Sequence, residues 1–354
     1  MLGVPLTEIL DSNPINPDKA AISRAAEIIS NGGIVAFPTE TVYGIGADAF
    51  NPVACRKIFE AKGRPRDNPL IVHISSLQQL EDVAIDVPER IIGALKILWP
   101  GPVTFILKKN RRIPDEVSAG LDTVAVRMPA HPIALRLIDA SGTAIAAPSA
   151  NLAGKPSPTN AAHVISDLNG KVDVIIDGGD CAFGLESTII NATESPAVLL
   201  RPGAFTIEEL SGIIGNIAIP DKVNESMKSG TAIAPGMKYR HYAPRTKLIA
   251  VKDNDILIRL SGYNTEKVAI LCSDELAERV RNGNATVIRL GSEKNLYEIA
   301  KNLFSSLRNL DGTGSDVAFI QTFPERGIGL AIMNRILKAS GGTGKSADEL
   351  KEYL

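Results

Sequence analysis

Cysteine is scarce: Cys55, Cys181 and Cys272 are the whole complement, and none sits at CxxC spacing. That excludes a disulfide framework, offers no zinc-ligand pattern and fits a reducing compartment. Excess positive charge is also missing. Thirty-eight basic residues against 40 acidic ones leave a net charge of −2, whereas proteins living by non-specific nucleic-acid binding carry a basic excess. The longest largely apolar stretch, 97–107, is interrupted by prolines and falls short of the ~18 residues of a membrane span. The opening MLGVPLTEIL has neither a basic n-region nor a long apolar run, so no signal peptide is read. HExxH and GxSxG do not occur, Cys55 lies inside a predicted helix, and the four histidines have no partner at a telling spacing. No nucleophile–base pair and no metal-ligating set are therefore read. The expectation is a cytoplasmic protein with no membrane association and no stable nucleic-acid binding.

What is present is ordinary for a globular chain: 44% apolar and 22% charged residues, near the averages of soluble domains. The 354 residues suggest about two domains. Asn16-Pro17 predicts a helix start, an apolar stripe follows at Ala21, Ala25, Ile28 and Ile29, and Gly32-Gly33 ends it. Asn51-Pro52 repeats the signal for a helix running to about Lys62 before Gly63. Strands are expected at 34–37, 70–74, 103–107, 124–128, 144–147, 172–176, 187–190 and 198–200, with helices at 88–98, 132–140 and 207–214. Residues 1–215 thus read as an α+β domain on a twisted mixed sheet. Residues 216–246 hold no sustained period and read as an interdomain linker or lid, although the cluster Lys238, Tyr239, Arg240, His241, Tyr242 is unusual for a tether. Residues 247–354 alternate apolar strands (248–251, 268–271, 286–290, 317–321) with helices, predicting a smaller α/β domain of Rossmann-like type.

GGTGKS at 341–346 is similar to the end of a phosphate-binding P-loop. Ala339, however, stands where that pattern needs its first glycine, and the segment follows a helix, so it reads as a flexible tail. KGRPRDNPL (62–70) is more informative. Lys62, Arg64 and Arg66 alternate along a stiff helix exit, and a mixture of planar forks and a compact charge suits a polyphosphate; a solvated turn is the alternative for this segment alone. In APSANLAGKPSPT (147–159), Ser149 and Asn151 follow a buried strand, where open α/β sheets commonly bind ligands. DGGDCAFGLESTII (177–190), LLRPG (199–203) and VAVRMPAHP (124–132) bring Ser187, Arg201 and Arg127 to strand ends. An arginine between apolar stretches must reach the surface or meet an anion. FPTETVYGIG (37–46) adds Thr39, Glu40, Thr41 and Tyr43, while His73 lies within LIVHI, where a structural role is the simpler reading. Polar and cationic groups at separate strand ends of a slightly acidic chain point to a focused positive cleft, made for positioning and charge stabilisation.

Side by side, FPTETVYGIG, KGRPRDNPL, WPGPVTFIL, VAVRMPAHP, APSANLAGKPSPT, GLESTII, LLRPG and PGMKYRHYAP resemble the YrdC-like family in its longer two-domain form, the threonylcarbamoyl-AMP synthases. The motifs follow that family's order across about residues 22–244, and Lys62, Arg64, Ser149 and Asn151 match its KxR plus SxN hallmark. The resemblance implies that L-threonine, bicarbonate and ATP, with Mg²⁺ accompanying the ATP, give threonylcarbamoyl-AMP and pyrophosphate for t6A modification of tRNA. It implies a catalytic role for Lys62, Arg64, Ser149 and Asn151. Thr39, His73, Arg127 and Ser187 would meet threonine. The nucleotide would be surrounded by Lys62, Arg64, Arg66, Asn68, Ser118, Ser149, Asn151 and Arg201, with Tyr239 and His241 closing over it. Contact with downstream t6A-transfer proteins also follows from the resemblance. An RNA-binding protein, an ATP sensor without chemistry, and carbamoyl transfer from carbamoyl phosphate remain open as alternatives.

Overall fold

The structure, a computed structural model, describes residues 6–220, 241–262, 267–280, 285–342, 344–346 and 348–353. These divide into two compact units, 6–153 with 157–220, and 154–156 with 241–353. Most of the expected linker, 221–240, lies outside the described residues. Among them, no helix is long and apolar enough to cross a membrane.

The first unit is built on a mixed sheet of twelve strands. From one edge the order is Glu8–Asp11, Val174–Asp177, Val35–Phe37, Gly44–Asp48, Ile145–Ala147, Ile71–His73, Thr123–Arg127, Val103–Lys109, Thr188–Asn191, Ala197–Arg201 and Ile217–Ala218, with Ala84–Ile85 paired beside Val103–Lys109. Parallel and antiparallel neighbours alternate irregularly, as the α+β reading anticipates. Helices Lys19–Ser30 and Pro132–Ser141 cover one part of it. Ile22, Ala25, Ala26 and Ile29 pack with Ile133, Ala134, Leu137 and Ile138 over Val35, Phe37 and Ile145. Each large aliphatic side chain so buried contributes about 1.5–3 kcal/mol.

Helix Pro52–Lys62 starts and stops as its sequence predicts: Asn51 Oδ1 accepts from the backbone N–H groups of Val53 and Ala54, and Gly63 closes it in the left-handed region at φ 61°. The first helix departs from expectation. Its N-cap is Asp18, which accepts from Ala21 N at 2.8 Å, and not Asn16. A carboxylate is the better complement to the positive helix end, and it moves the start past Pro17. Strand Gly44–Asp48 is also absent from the expected strands. Its glycines are accommodated by close packing; a Cβ at Gly46 would lie 2.4 Å from Ile145 Cγ2.

The second unit holds a wholly parallel four-stranded sheet in the order Lys247–Val251, Val317–Gln321, Val268–Cys272, Thr286–Arg289. Tyr242, at φ 64°, sets its ring 5.0 Å from Phe304 and 5.9 Å from the fully buried guanidinium of Arg335. The described part of GGTGKS, residues 341–342 and 344–346, is not the flexible tail expected of it. Lys345 pairs in parallel with Val251, donating to Ala250 O at 2.8 Å, and Leu350 is buried in this unit's core. A short 3₁₀ turn, Asp348–Tyr353, follows instead of the α-helix a P-loop requires.

His73 shows how the sheet treats a polar residue inside it. Nδ1 lies 3.1 Å from Ile71 O, and the ring meets Phe37 edge-on. Burial first, and the charge of Arg127 second, push its pKa down to about 3 against the partial relief of two backbone carbonyls. The unfolded chain takes up this proton near pH 6.5 and the folded chain only near 3. Stability therefore falls as pH drops through that window, by up to ~1.4 kcal/mol per pH unit from this group. Thermal melts from about pH 7 to about pH 4 are expected to decline less steeply in His73→Gln than in the natural sequence; parallel profiles would contradict this.

Candidate active site

Register brings four strand ends to one edge of the sheet. Thr123–Arg127 runs antiparallel to Val103–Lys109, Thr188 stands beside Val103, and Ile189 opposite Arg201. Arg127, Ser187 and Arg201 are therefore neighbours although far apart in sequence. All three are buried. Arg201 donates to Ser187 O at 3.0 Å and to Ser187 Oγ at 3.1 Å, and Ser187 Oγ lies 2.7 Å from Thr104 Oγ1. The turn after Arg201 closes against this group at Gly203, where a Cβ would come within 2.3 Å of Thr188 N and 2.6 Å of Glu186 O. Only glycine permits that approach.

Arg127 is anchored from three sides. Nε donates to Gly101 O at 3.3 Å, Nη1 donates to Thr41 Oγ1 at 2.8 Å, and Nη2 stands 2.7 Å from Glu40 Oε1. The last is an ion pair in distance but is not aligned as a hydrogen bond. Arg127 Nη2 and both carboxylate oxygens of Glu40 have no hydrogen-bond partner. Thr39 organises the loop that brings Glu40 and Thr41 there: its hydroxyl donates to Val42 O at 2.6 Å and accepts from Val42 N at 3.3 Å, a side-chain-stabilised turn. Tyr43 fixes the far end, its hydroxyl donating to Gly179 O and accepting from Gly178 N.

The same loop reaches the second group of candidates. Tyr43 O accepts from Ala150 N at 2.8 Å, and Gly44 forms an antiparallel bridge with Ser149. Lys62, at the end of its helix and 2% exposed, donates to the carbonyls of Ser149 and Asn151. Ser149 Oγ donates to Asn151 Oδ1 at 2.5 Å. The ammonium thus folds the SxN segment around itself. Arg64 turns back over its own loop to the carbonyls of Asn68 and Pro69, and the Oδ1 of buried Asn68 has no hydrogen-bond partner.

The other expected residues make contacts of their own. Arg66 is exposed and pairs with Glu60 at 3.3 Å. Ser118 is buried and accepts from Lys109 at 2.9 Å. His73 is neutral, engaged with backbone carbonyls and paired in register with Arg127 on the next strand. Tyr239 lies outside the described residues, and His241 belongs to the second unit, where its ring is 5.6 Å from that of Tyr242. Sequence reasoning did not single out Thr104 or the buried pair in which Ser157 donates to Glu186 at 2.5 Å, and it named Thr41 without a role. Glu40 was noticed but given no role, although a buried Arg127 demands an anion. Among the described residues, no group of three or more His, Cys, Asp or Glu is placed to hold a metal ion.

Comparison with known proteins follows the same division. The Sua5–YciO–YrdC family model, described as "Telomere recombination", matches residues 27–203, and that of the threonylcarbamoyl-AMP synthase C-terminal domain matches 205–341. Threonylcarbamoyl-AMP synthase of Pyrococcus abyssi is 49% identical over 330 residues, covering 90% of this chain and 94% of the relative. The Bacillus subtilis protein of that name is 43% identical, covering 94% and 96%. A crystal structure of P. abyssi Sua5 complexed with L-threonine superposes with a TM-score of 0.90 at 46% identity, over 96% of this chain and all of that one. Matched by both domain models and along nearly its whole length by these relatives, the chain belongs to the Sua5–YciO–YrdC family, in its two-domain threonylcarbamoyl-AMP synthase branch.

Proposed function

We propose that the chain condenses L-threonine, bicarbonate and ATP into threonylcarbamoyl-AMP, releasing pyrophosphate, and so supplies t6A modification of tRNA. One observation carries the reading: a buried arginine with an unfilled donor, Arg127 Nη2, stands beside the Ser187–Arg201 group and is tied through one loop to the Lys62–Ser149–Asn151 group. Relatives bearing the synthase name, and one solved with threonine, support it.

The reaction asks for such a site. The amine of threonine and bicarbonate give a carbamate, whose carboxylate attacks the α-phosphorus of ATP and expels pyrophosphate. Threonine carboxylate, bicarbonate and the phosphates repel one another, so fixed cations must hold them in register and stabilise charge building on the phosphorus oxygens. Arg127 would take the threonine carboxylate, with Thr39 and Ser187 nearby. Lys62, Arg64, Asn68, Ser149, Asn151 and Arg201 would surround the nucleotide. Mg²⁺ belongs to the substrate as the counter-ion of ATP. His241, with Tyr239, would exclude water from the unstable carbamate as a lid, and Arg66 and Ser118 would join the nucleotide side on binding. His73 would serve threonine by shape rather than charge, because it is neutral. The second unit reads as a small Rossmann-like wind that docks partners of the t6A pathway, and the activity as cytoplasmic.

The direct test is pyrophosphate release from ATP, expected only when threonine and bicarbonate are both supplied; release independent of either would defeat the proposal. Arg127→Lys, which keeps the charge and loses the planar fork, is expected to raise the threonine KM about 10- to 100-fold while leaving ATP affinity nearly unchanged. Lys62→Met should act the other way. It is expected to lower kcat by about 100-fold or more and weaken nucleotide binding, with threonine affinity held within a few-fold. Calorimetric titrations with each ligand and initial rates would show whether the two effects separate in this way.

A further inference from the structure

Glu40 is 5% exposed, and neither of its carboxylate oxygens has a hydrogen-bond partner. A bare buried carboxylate is costly, and a lone ion pair does not fully offset that cost. Its position is nonetheless fixed. Glu40 O accepts from Phe183 N at 2.8 Å, and the flanking hydroxyls of Thr39 and Thr41 lie 2.8 Å apart. Arg127 stands against the Glu40 carboxylate, whose charge is felt by His131 and Cys181 from two other segments. Burial lowers the pKa of His131 and raises that of the Cys181 thiol, so both are uncharged near neutrality. What remains is one fixed cation and one fixed anion side by side, each with hydrogen-bonding capacity unused. An α-amino acid presents the complementary pair, a carboxylate and an ammonium separated by one carbon. Once a substrate carboxylate takes Arg127 Nη2, Glu40 loses its partner, and the substrate ammonium is the cation that replaces it.

We infer that Glu40 seats the ammonium group of the amino acid and accepts its proton as the carbamate forms. This rests on the synthase reading above. The step balances: substrate –NH₃⁺, bicarbonate and Glu40–COO⁻ give –NH–COO⁻, water and Glu40–COOH. The N–C bond forms from the nitrogen lone pair that the proton leaves behind. The C–OH bond of bicarbonate breaks, its oxygen leaving as water with a second nitrogen proton. Arg127 meanwhile stays on the substrate carboxylate, so the amine is freed of its proton only where an anion already holds it.

The test compares L-threonine with (2S,3R)-2,3-dihydroxybutanoate, which has hydroxyl in place of the amine, by calorimetry on the full chain beside a non-hydrolysable ATP analogue. The natural sequence is expected to prefer threonine by about 30-fold or more. Glu40→Gln should reduce that preference to a few-fold while the ATP analogue binds as before. Glu40→Asp keeps a carboxylate and should retain the preference, with kcat lowered about tenfold through the longer proton transfer. The inference is overturned if the natural sequence binds both ligands alike, if Glu40→Gln keeps the full preference, or if Glu40→Asp loses it or keeps full kcat. Should Glu40→Gln fail to fold, judged by loss of the ATP analogue, Glu40→Asp alone decides. The preference is read from binding, so a chain that prefers threonine yet releases no pyrophosphate would sink the synthase reading and leave the ammonium seat standing.

Discussion

A guanidinium removed from water must be surrounded by acceptors, and Arg127 imposes that requirement on the whole first unit. Isolating the charge would cost several kcal/mol, so a carbonyl, a hydroxyl and a carboxylate converge on it from Gly101, Thr41 and Glu40. Those groups come from two loops that the sheet must bring to one edge. The strand order, with Thr123–Arg127 between Ile71–His73 and Val103–Lys109, is what makes this possible. Satisfaction is incomplete, however. Arg127 Nη2 and both carboxylate oxygens of Glu40 keep hydrogen-bonding capacity that the fold leaves unused.

Lys62 solves the same problem differently. Its charge is spent on backbone carbonyls, and in holding them it shapes the Ser149–Asn151 segment. One cation therefore keeps a donor unused, while the other is committed to folding a loop. The 37–46 loop joins the two, hydrogen-bonding to Arg127 at Thr41 and to Ala150 at Tyr43. A chain with net charge −2 can in this way present concentrated positive potential without a basic surface.

Much of this was legible from residue types in order. Asn51, Pro52 and Gly63 delimit a helix because a cap, a preset φ and a left-handed stop each have one local cause. Arg127, Ser187 and Arg201 were recognisable as strand-end residues because buried arginines need anions. What stayed hidden depended on distant partners. Gly44–Asp48 is a strand because Ile145 and Phe37 leave room for glycine and nothing larger at Gly46. Glu40 becomes remarkable only once Arg127 is seen beside it. Arg66 shares its alternation with Lys62 and Arg64, yet turns outward to Glu60, because nothing in a loop sequence states which way a side chain will swing. The GGTGKS segment resembled a mobile end, while its pairing with Val251 depends on an edge strand almost a hundred residues earlier.

Gly203 carries a consequence for redesign. The main chain at 186–188 lies flush against it, and that stretch supports the Ser187 hydroxyl on one side and receives the Arg201 guanidinium on the other. Under the proposed roles, in which Ser187 meets the amino acid and Arg201 the nucleotide, one piece of backbone would serve both. On that proposal, substitutions at 186–188 or Gly203 that alter amino-acid selectivity are expected to disturb nucleotide binding as well. The Thr39–Thr41 loop offers no freer place to work, because the Thr41 hydroxyl that would be exchanged there is itself an anchor of Arg127.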